Sequence, residues 1–205
     1  MGTLIEHGIA ARTLPGERVS GDQALVKPFA DGVLAAAIDG LGHGEAAQAA
    51  AGLAADTLER HAGEEPVALV GRCHAALKGT RGAAMSLASI RAHGVMTWLG
   101  VGNVDARLLR IFGTPPSRET LSTRGGVVGY QLPPLRAYQL SLTAGDLLIF
   151  TTDGINSGYG KYFPAADPLL RHQPVQDIAD RILTRFGKTT DDAVVLVIRY
   201  RDSMP

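Results

Sequence analysis

Gly32-Val33-Leu34-Ala35-Ala36-Ala37-Ile38-Asp39-Gly40-Leu41-Gly42-His43-Gly44 joins an unbroken apolar run to an acidic turn spaced by glycines. Residues 32–38 contain no polar side chain, which predicts a short strand buried on both faces and feeding a tight turn at Asp39-Gly40. Downstream, Glu45 to His61 is rich in Ala, has no Pro and holds one Gly, so it reads as a helix. Pro66 to Leu77 reads as a second helix with Pro in its first turn, and Gly79 and Gly82 break the chain after it. Upstream, residues 3–12 and 23–29 alternate loosely. They are expected to pair with each other around the turn-rich segment Pro15 to Asp22.

The rest of the chain is mostly strand. Residues 83–90, 94–101 and 105–112 are strand candidates separated by turn residues such as His93-Gly94 and Asn103-Val104-Asp105. Residues 113–137 hold several Pro and Gly and read mainly as loops with short extended pieces. Residues 138–142 and 146–152 are strands, and Gly154 to Gly160 is a loop. In 175–186, apolar Val175, Ile178, Ala179, Ile182, Leu183 and Phe186 fall at helical spacing. The last strand, 193–200, begins with an all-apolar half and is expected at the centre of a sheet. The expected fold class is α+β: two mainly antiparallel sheets packed as a sandwich and flanked by helices, in a single domain over 1–205. Helices 45–61 and 66–77 should lie on one side, and 175–186 on the other or at an edge.

Composition narrows the function. The chain has 205 residues, 45% of them hydrophobic, with 20 acidic and 20 basic side chains. The neutral balance argues against a nucleic-acid partner. No apolar run reaches the roughly 20 residues that span a bilayer, so no membrane partner is expected. The N-terminus has neither a secretory pattern nor, with Glu6 where Ser or Thr is required, a myristoylation pattern. A lone cysteine, Cys73, can form no internal disulfide and reads as a small buried hydrophobe on a helix. The expected compartment is the cytoplasm.

Three acidic sites share one grammar. Asp39 follows VLAAAI, Asp153 follows LLIFTT, and the Asp191-Asp192 pair precedes AVVLVI. One aspartate at a strand end usually just caps a turn. Three such sites can be brought together at one end of a sheet, where their charges repel unless a cation neutralises them. All-oxygen ligation suits magnesium or manganese. The glycines after Asp39 and Asp153 allow close backbone approach, so a carbonyl such as that of Gly40 can join the ligands.

Ser20-Gly21-Asp22, Ala37 to Gly44 (AIDGLGHG), Gly100-Val101-Gly102-Asn103, Phe150 to Ile155 (FTTDGI) and Thr190-Asp191-Asp192-Ala193 form an ordered set across nearly the whole chain. The set resembles the PPM-type metal-dependent serine/threonine phosphatases, specifically their bacterial SpoIIE-like branch. The resemblance implies a β-sandwich with two Mn²⁺ or Mg²⁺ ions at one edge. Asp39 would bridge both ions, the Gly40 carbonyl would bind one, and Asp153 and Asp191 would hold the other. Asp22 would orient metal-bound water, and Asp192 would support its neighbour, although the pair leaves open which member is the direct ligand. A eukaryotic-branch histidine stands where this chain has Leu41. His43 is therefore the nearest candidate general acid, and Arg18 and Arg12 are the candidates for the substrate phosphate.

The expected reaction is hydrolysis of phosphoserine or phosphothreonine by metal-activated water. The chain resembles the stand-alone feedback phosphatase of the bacterial stressosome, because the first strand begins close to Met1 and leaves no room for a sensor ahead of it. Phosphorylated STAS-domain scaffold proteins of the stressosome are the expected partners, in negative feedback on stress signalling. The alternative substrate is a phosphorylated anti-sigma-factor antagonist. A non-catalytic phosphoprotein-binding pseudophosphatase ranks lower because no metal aspartate is missing. A purely structural subunit ranks lower still, since it gives no reason for the strand-end aspartates. Phe186 to Thr190 (FGKTT) fails as a nucleotide loop because Ile182 stands at the required earlier glycine and a helix precedes it. Trp98 reads as core.

Overall fold

The computed structural model describes residues 3–111, 117–162, 167, 170 and 172–202. In chain order the elements are β1 (Ile5–Arg12), β2 (Asp22–Phe29), β3 (Gly32–Gly40), α1 (Glu45–Arg60), α2 (Pro66–Ala76), β4 (Ala83–Arg91), β5 (Val95–Val101), β6 (Asp105–Arg110), β7 (Ser117–Leu121), β8 (Tyr138–Ser141), β9 (Leu147–Thr151), α3 (Tyr159–Tyr162), α4 (Val175–Phe186) and β10 (Ala193–Tyr200). Two five-stranded sheets form, in the orders β1-β10-β9-β6-β7 and β2-β3-β4-β5-β8. Every strand pair within them is antiparallel.

The apolar run at 32–38 is buried on both faces for a reason visible in its period of two. Val33, Ala35 and Ala37 point between the sheets, into a core with Trp98, Phe150, Leu196 and Ile198. Leu34, Ala36 and Ile38 point outward, against Ala50, Ala54 and Leu58 of α1 and Leu69 and Cys73 of α2. Strand β10 repeats the arrangement in the other sheet, where Val195 and Val197 meet Ile178, Ala179 and Ile182 of α4. The helices thus cover the two outer faces, as the order of strands and helices and the family resemblance together imply.

Three expectations are corrected. Residues 3–12 and 23–29 do not pair: β1 lies along β10 and β2 along β3, in different sheets. Both β3 and β10 are apolar on both faces and need a neighbour on each side, so residues 13–21 cross between the sheets to supply one to each. The stretch 113–137 contains a true strand, β7, paired with β6. It is an edge strand with only Leu121 buried, so it lacks an apolar signature. The expected loop 154–160 runs into a single helical turn, α3. The strand expected over 105–112 is seen to Arg110; Phe112 lies outside the described residues.

Because the ladders are antiparallel, strand ends alternate between the two ends of the sandwich. The ends of β3 and β9 and the starts of β2 and β10 therefore fall together, and with them the aspartates.

Candidate metal centre

Asp22 opens β2 directly across the ladder from Asp39 on β3. Asp153 lies just beyond β9, and Asp191-Asp192 just before its neighbour β10. Gly154 makes that last approach feasible: a Cβ there would lie 1.8 Å from the Asp192 carbonyl oxygen. Gly40 serves packing in the same way, since its Cβ would lie 2.2 Å from the carbonyl oxygen of Ala47 on α1. Glycine at these positions thus lets backbone approach backbone beside the acids.

A cavity of about 370 Å³ opens here, lined by Asp39, Leu41, Gly42, His43, Asn103, Asp153, Thr190 and Asp191. Burial pushes the Asp22 carboxyl up to about 8, with Asp39, Asp192 and Asp153 adding to the rise and a hydrogen bond with Thr152 opposing it. Asp39 is pushed up to about 7 by burial and then by Asp153, against a hydrogen bond from Asn103. Asp191 is raised by burial and by Asp153, with Lys188 pulling the other way. All five aspartates therefore act on one another as a single cluster. Asn103 Nδ2 donates to Asp153 Oδ2 at 2.7 Å and fixes that carboxylate. Asp22 Oδ2 is buried with no hydrogen-bond partner among the described residues.

The Asp191-Asp192 pair divides its work. Asp191 lines the cavity. Asp192 turns into the fold, where its two oxygens accept the Leu14 and Gly21 amides at 2.8 Å each. Those amides bracket the crossing between the sheets, so Asp192 pins β1 and β2 together at the acidic end. His43 sits on the rim, its Nδ1 2.6 Å from Glu17 Oε1. Arg18 is exposed on the crossing and does not line the cavity. Arg12 is committed elsewhere, donating through Nη2 to the Lys188 carbonyl. Sequence reasoning gave no roles to Asn103, Thr152 and Glu17. Asn103 closes the Gly100 to Asn103 motif, which is the one signal that marks it.

A divalent cation can be tested against these residues. Among the described residues, no three His, Cys, Asp or Glu side chains form a ready-made metal cage. Carboxylates facing one another without a counter-charge are pushed apart, and here two are displaced toward their neutral forms. The orphaned Asp22 oxygen, the all-oxygen donors and the open cavity fit a hard ion such as Mg²⁺ or Mn²⁺. They do not suit zinc, which favours nitrogen and sulfur.

Residues 30–201 match the family described as Stage II sporulation protein E (SpoIIE). The phosphoserine phosphatase RsbX of Bacillus subtilis (strain 168) is 28% identical over 144 residues, 69% of this chain and 70% of that protein. A solved structure from work on the bacterial stressosome, described there as a modular system adapted to control secondary messenger signaling, matches with a TM-score of 0.85. Its identity is 32%, over 95% of this chain and 99% of that one. RsbX in complex with magnesium matches with a TM-score of 0.82 at 22% identity, over 96% and 95% of the two chains. The strand-end aspartates, the antiparallel sandwich and these likenesses agree, and the chain belongs to the SpoIIE family of PPM-type serine/threonine phosphatases.

Proposed function

We propose that this phosphatase removes phosphate from phosphoserine or phosphothreonine on STAS-domain scaffold proteins of a stressosome, as negative feedback in stress signalling. The observation that carries the reading is the 32% identity, over almost the full length of both chains, to the structure from work on the stressosome. The proposed compartment is the cytoplasm. In keeping with it, no helix among the described residues is long and apolar enough to cross a membrane.

In this reading Asp39, Asp153, Asp191 and the Gly40 carbonyl hold two Mn²⁺ or Mg²⁺ ions. When bound, such ions make a water strongly nucleophilic near neutral pH and offset the charge developing on the phosphoryl group. Asn103 keeps Asp153 oriented through its 2.7 Å hydrogen bond. Asp22 supports the site from behind, in contact with the Thr152 hydroxyl, whose oxygen also accepts the Val194 amide at the start of β10. Asp192 acts by holding the crossing rather than by ligation. His43 has Nδ1 engaged by Glu17, which leaves Nε2 to deliver a proton to the departing seryl or threonyl oxygen.

The test offers a phosphorylated stressosome scaffold protein and a phosphorylated anti-sigma-factor antagonist in parallel, each with and without manganese. Metal-dependent phosphate release from the scaffold protein is the expected result. Release from the antagonist alone would overturn the stressosome assignment.

A further inference from the structure

We propose that Arg81 is the side chain that grips the substrate's phosphate, a role that rests on the site assignment above. The acidic end holds five aspartates, and its ligand is a phosphate dianion that those carboxylates repel. Metal ions offset part of that repulsion, and a guanidinium at the cavity rim supplies the rest. Arg81, next to the lining residue Gly42, is the candidate for that place. A Cβ on Gly42, which lines the cavity, would lie 2.6 Å from Arg81 Nη1, so the guanidinium lies against the turn that follows Asp39 and Gly40, beside the lining residues rather than among them. Gly42 has φ +90°, so glycine there serves both the turn and the space the arginine needs.

The backbone on either side of Arg81 is fixed. The Thr80 hydroxyl donates to the Leu77 carbonyl at 2.7 Å and accepts the Gly82 amide at 3.0 Å. The Gly82 carbonyl in turn accepts the Leu41 amide at 3.1 Å, tying this loop to the metal-site turn. The side chain itself is exposed and makes no hydrogen bond or ion pair among the described residues. A pre-placed, unpaired arginine beside the turn that follows Asp39 is available to an incoming anion, and its planar fork matches phosphate bidentately. Two other cations near the acidic end are already engaged. Arg12 donates to the Lys188 carbonyl, and Lys188 acts on Asp191 and lines a neighbouring cavity with Asn156 and Ser157.

The experiment compares wild type, Arg81→Ala and Arg81→Lys, all loaded with manganese. It measures the inhibition constant of inorganic phosphate, kcat and KM on a phosphoserine protein, and the melting midpoint. Arg81→Ala should weaken phosphate inhibition and raise KM together by about 10- to 100-fold, the scale of one charge-assisted contact. Arg81→Lys should recover only part of the loss, and the melting midpoint should stay unchanged. Unchanged phosphate inhibition in an Arg81→Ala variant overturns the assignment while leaving the phosphatase site standing. A rise in KM without weaker phosphate inhibition also overturns it, since Arg81 would then touch the protein around the phosphoresidue. A wild type without metal-dependent turnover would instead sink the site assignment itself.

Discussion

Asp146 and Asp39 are both buried, 3% and 8% exposed, at opposite ends of the same sandwich. Asp146, at the start of β9, is answered. Arg110 Nη1 donates to it at 2.8 Å and the Thr143 amide at 2.9 Å, and Arg110 reaches on to Glu119. At the same end the buried Arg199 is held by Glu6 and by the carbonyls of Leu170 and Gln173. Asp39 has no such cation among the described residues. Its charged neighbours are other aspartates, its hydrogen-bond partner is the neutral Asn103, and the nearby Asp22 leaves an oxygen without a partner among the described residues. A fold that pairs buried charges with opposite ones at one end and gathers like charges at the other has reserved the second end for something it binds.

The comparison can be broken at the acidic end first. Asp39→Asn should lower metal-dependent turnover by at least about 10³-fold, because several kcal/mol of charge stabilisation depend on the ions it holds. The fold should remain intact, and its metal-free stability should hold or rise as repulsion is relieved. A variant that keeps most of its activity under saturating manganese would refute the assignment. At the opposite end Arg110→Ala should do the reverse, leaving kcat and KM unchanged while costing about 2–3 kcal/mol of unfolding free energy. That is less than the 3–5 kcal/mol for a fully buried pair because Arg110 is partly exposed. Denaturant titration measures the loss, and an unaffected midpoint would show that Asp146 needs no cation.

The smallest effect sharpens the boundary within the acidic end. Asp192→Asn sets a donor against one of the two amides its carboxylate now accepts, and should cost about 1–2 kcal/mol of stability. Asp191→Asn should leave stability nearly unchanged and weaken metal binding instead. Paired unfolding curves and manganese titrations separate the two variants. A swap of the two outcomes would make Asp192 the ligand.

How far the sequence spoke depended on whether a signal was local. The strands β3 and β10 were legible because both faces are covered, so residues 32–38 and 193–198 are all apolar. The edge strand β7 was not, since Ser117, Arg118, Glu119 and Thr120 face solvent or the rim and carry no apolar period. Nor was the pairing of β1 with β10, because nothing within residues 3–12 encodes a partner about 190 residues away. The acidic grammar pointed to Asp39, Asp153 and Asp191-Asp192 through their shared place at strand ends. The separate roles of Asp191 and Asp192 depend on the path of residues 13–21, which only the fold reveals. Arg81 likewise follows two helices in a loop whose sequence has no motif, and it gains meaning only from lying across Gly42.

The central claim, that the acidic end is built for a cation, is tested most directly by metal-free stability as a function of pH. Asp22 and Asp39 are raised to about 8 and about 7 in the folded protein, from an ordinary carboxyl value of 3.8. Their protonated forms are favoured by folding. Their contribution is therefore complete below about pH 4 and is lost as pH rises through 7 to 8. With chelator present, the melting midpoint of the wild type should carry a component that falls across this window. Millimolar magnesium or manganese should restore the midpoint at pH 8, and Asp39→Asn should flatten the fall and remove most of the restoration. A wild-type midpoint at pH 8 that does not respond to either metal would contradict the account.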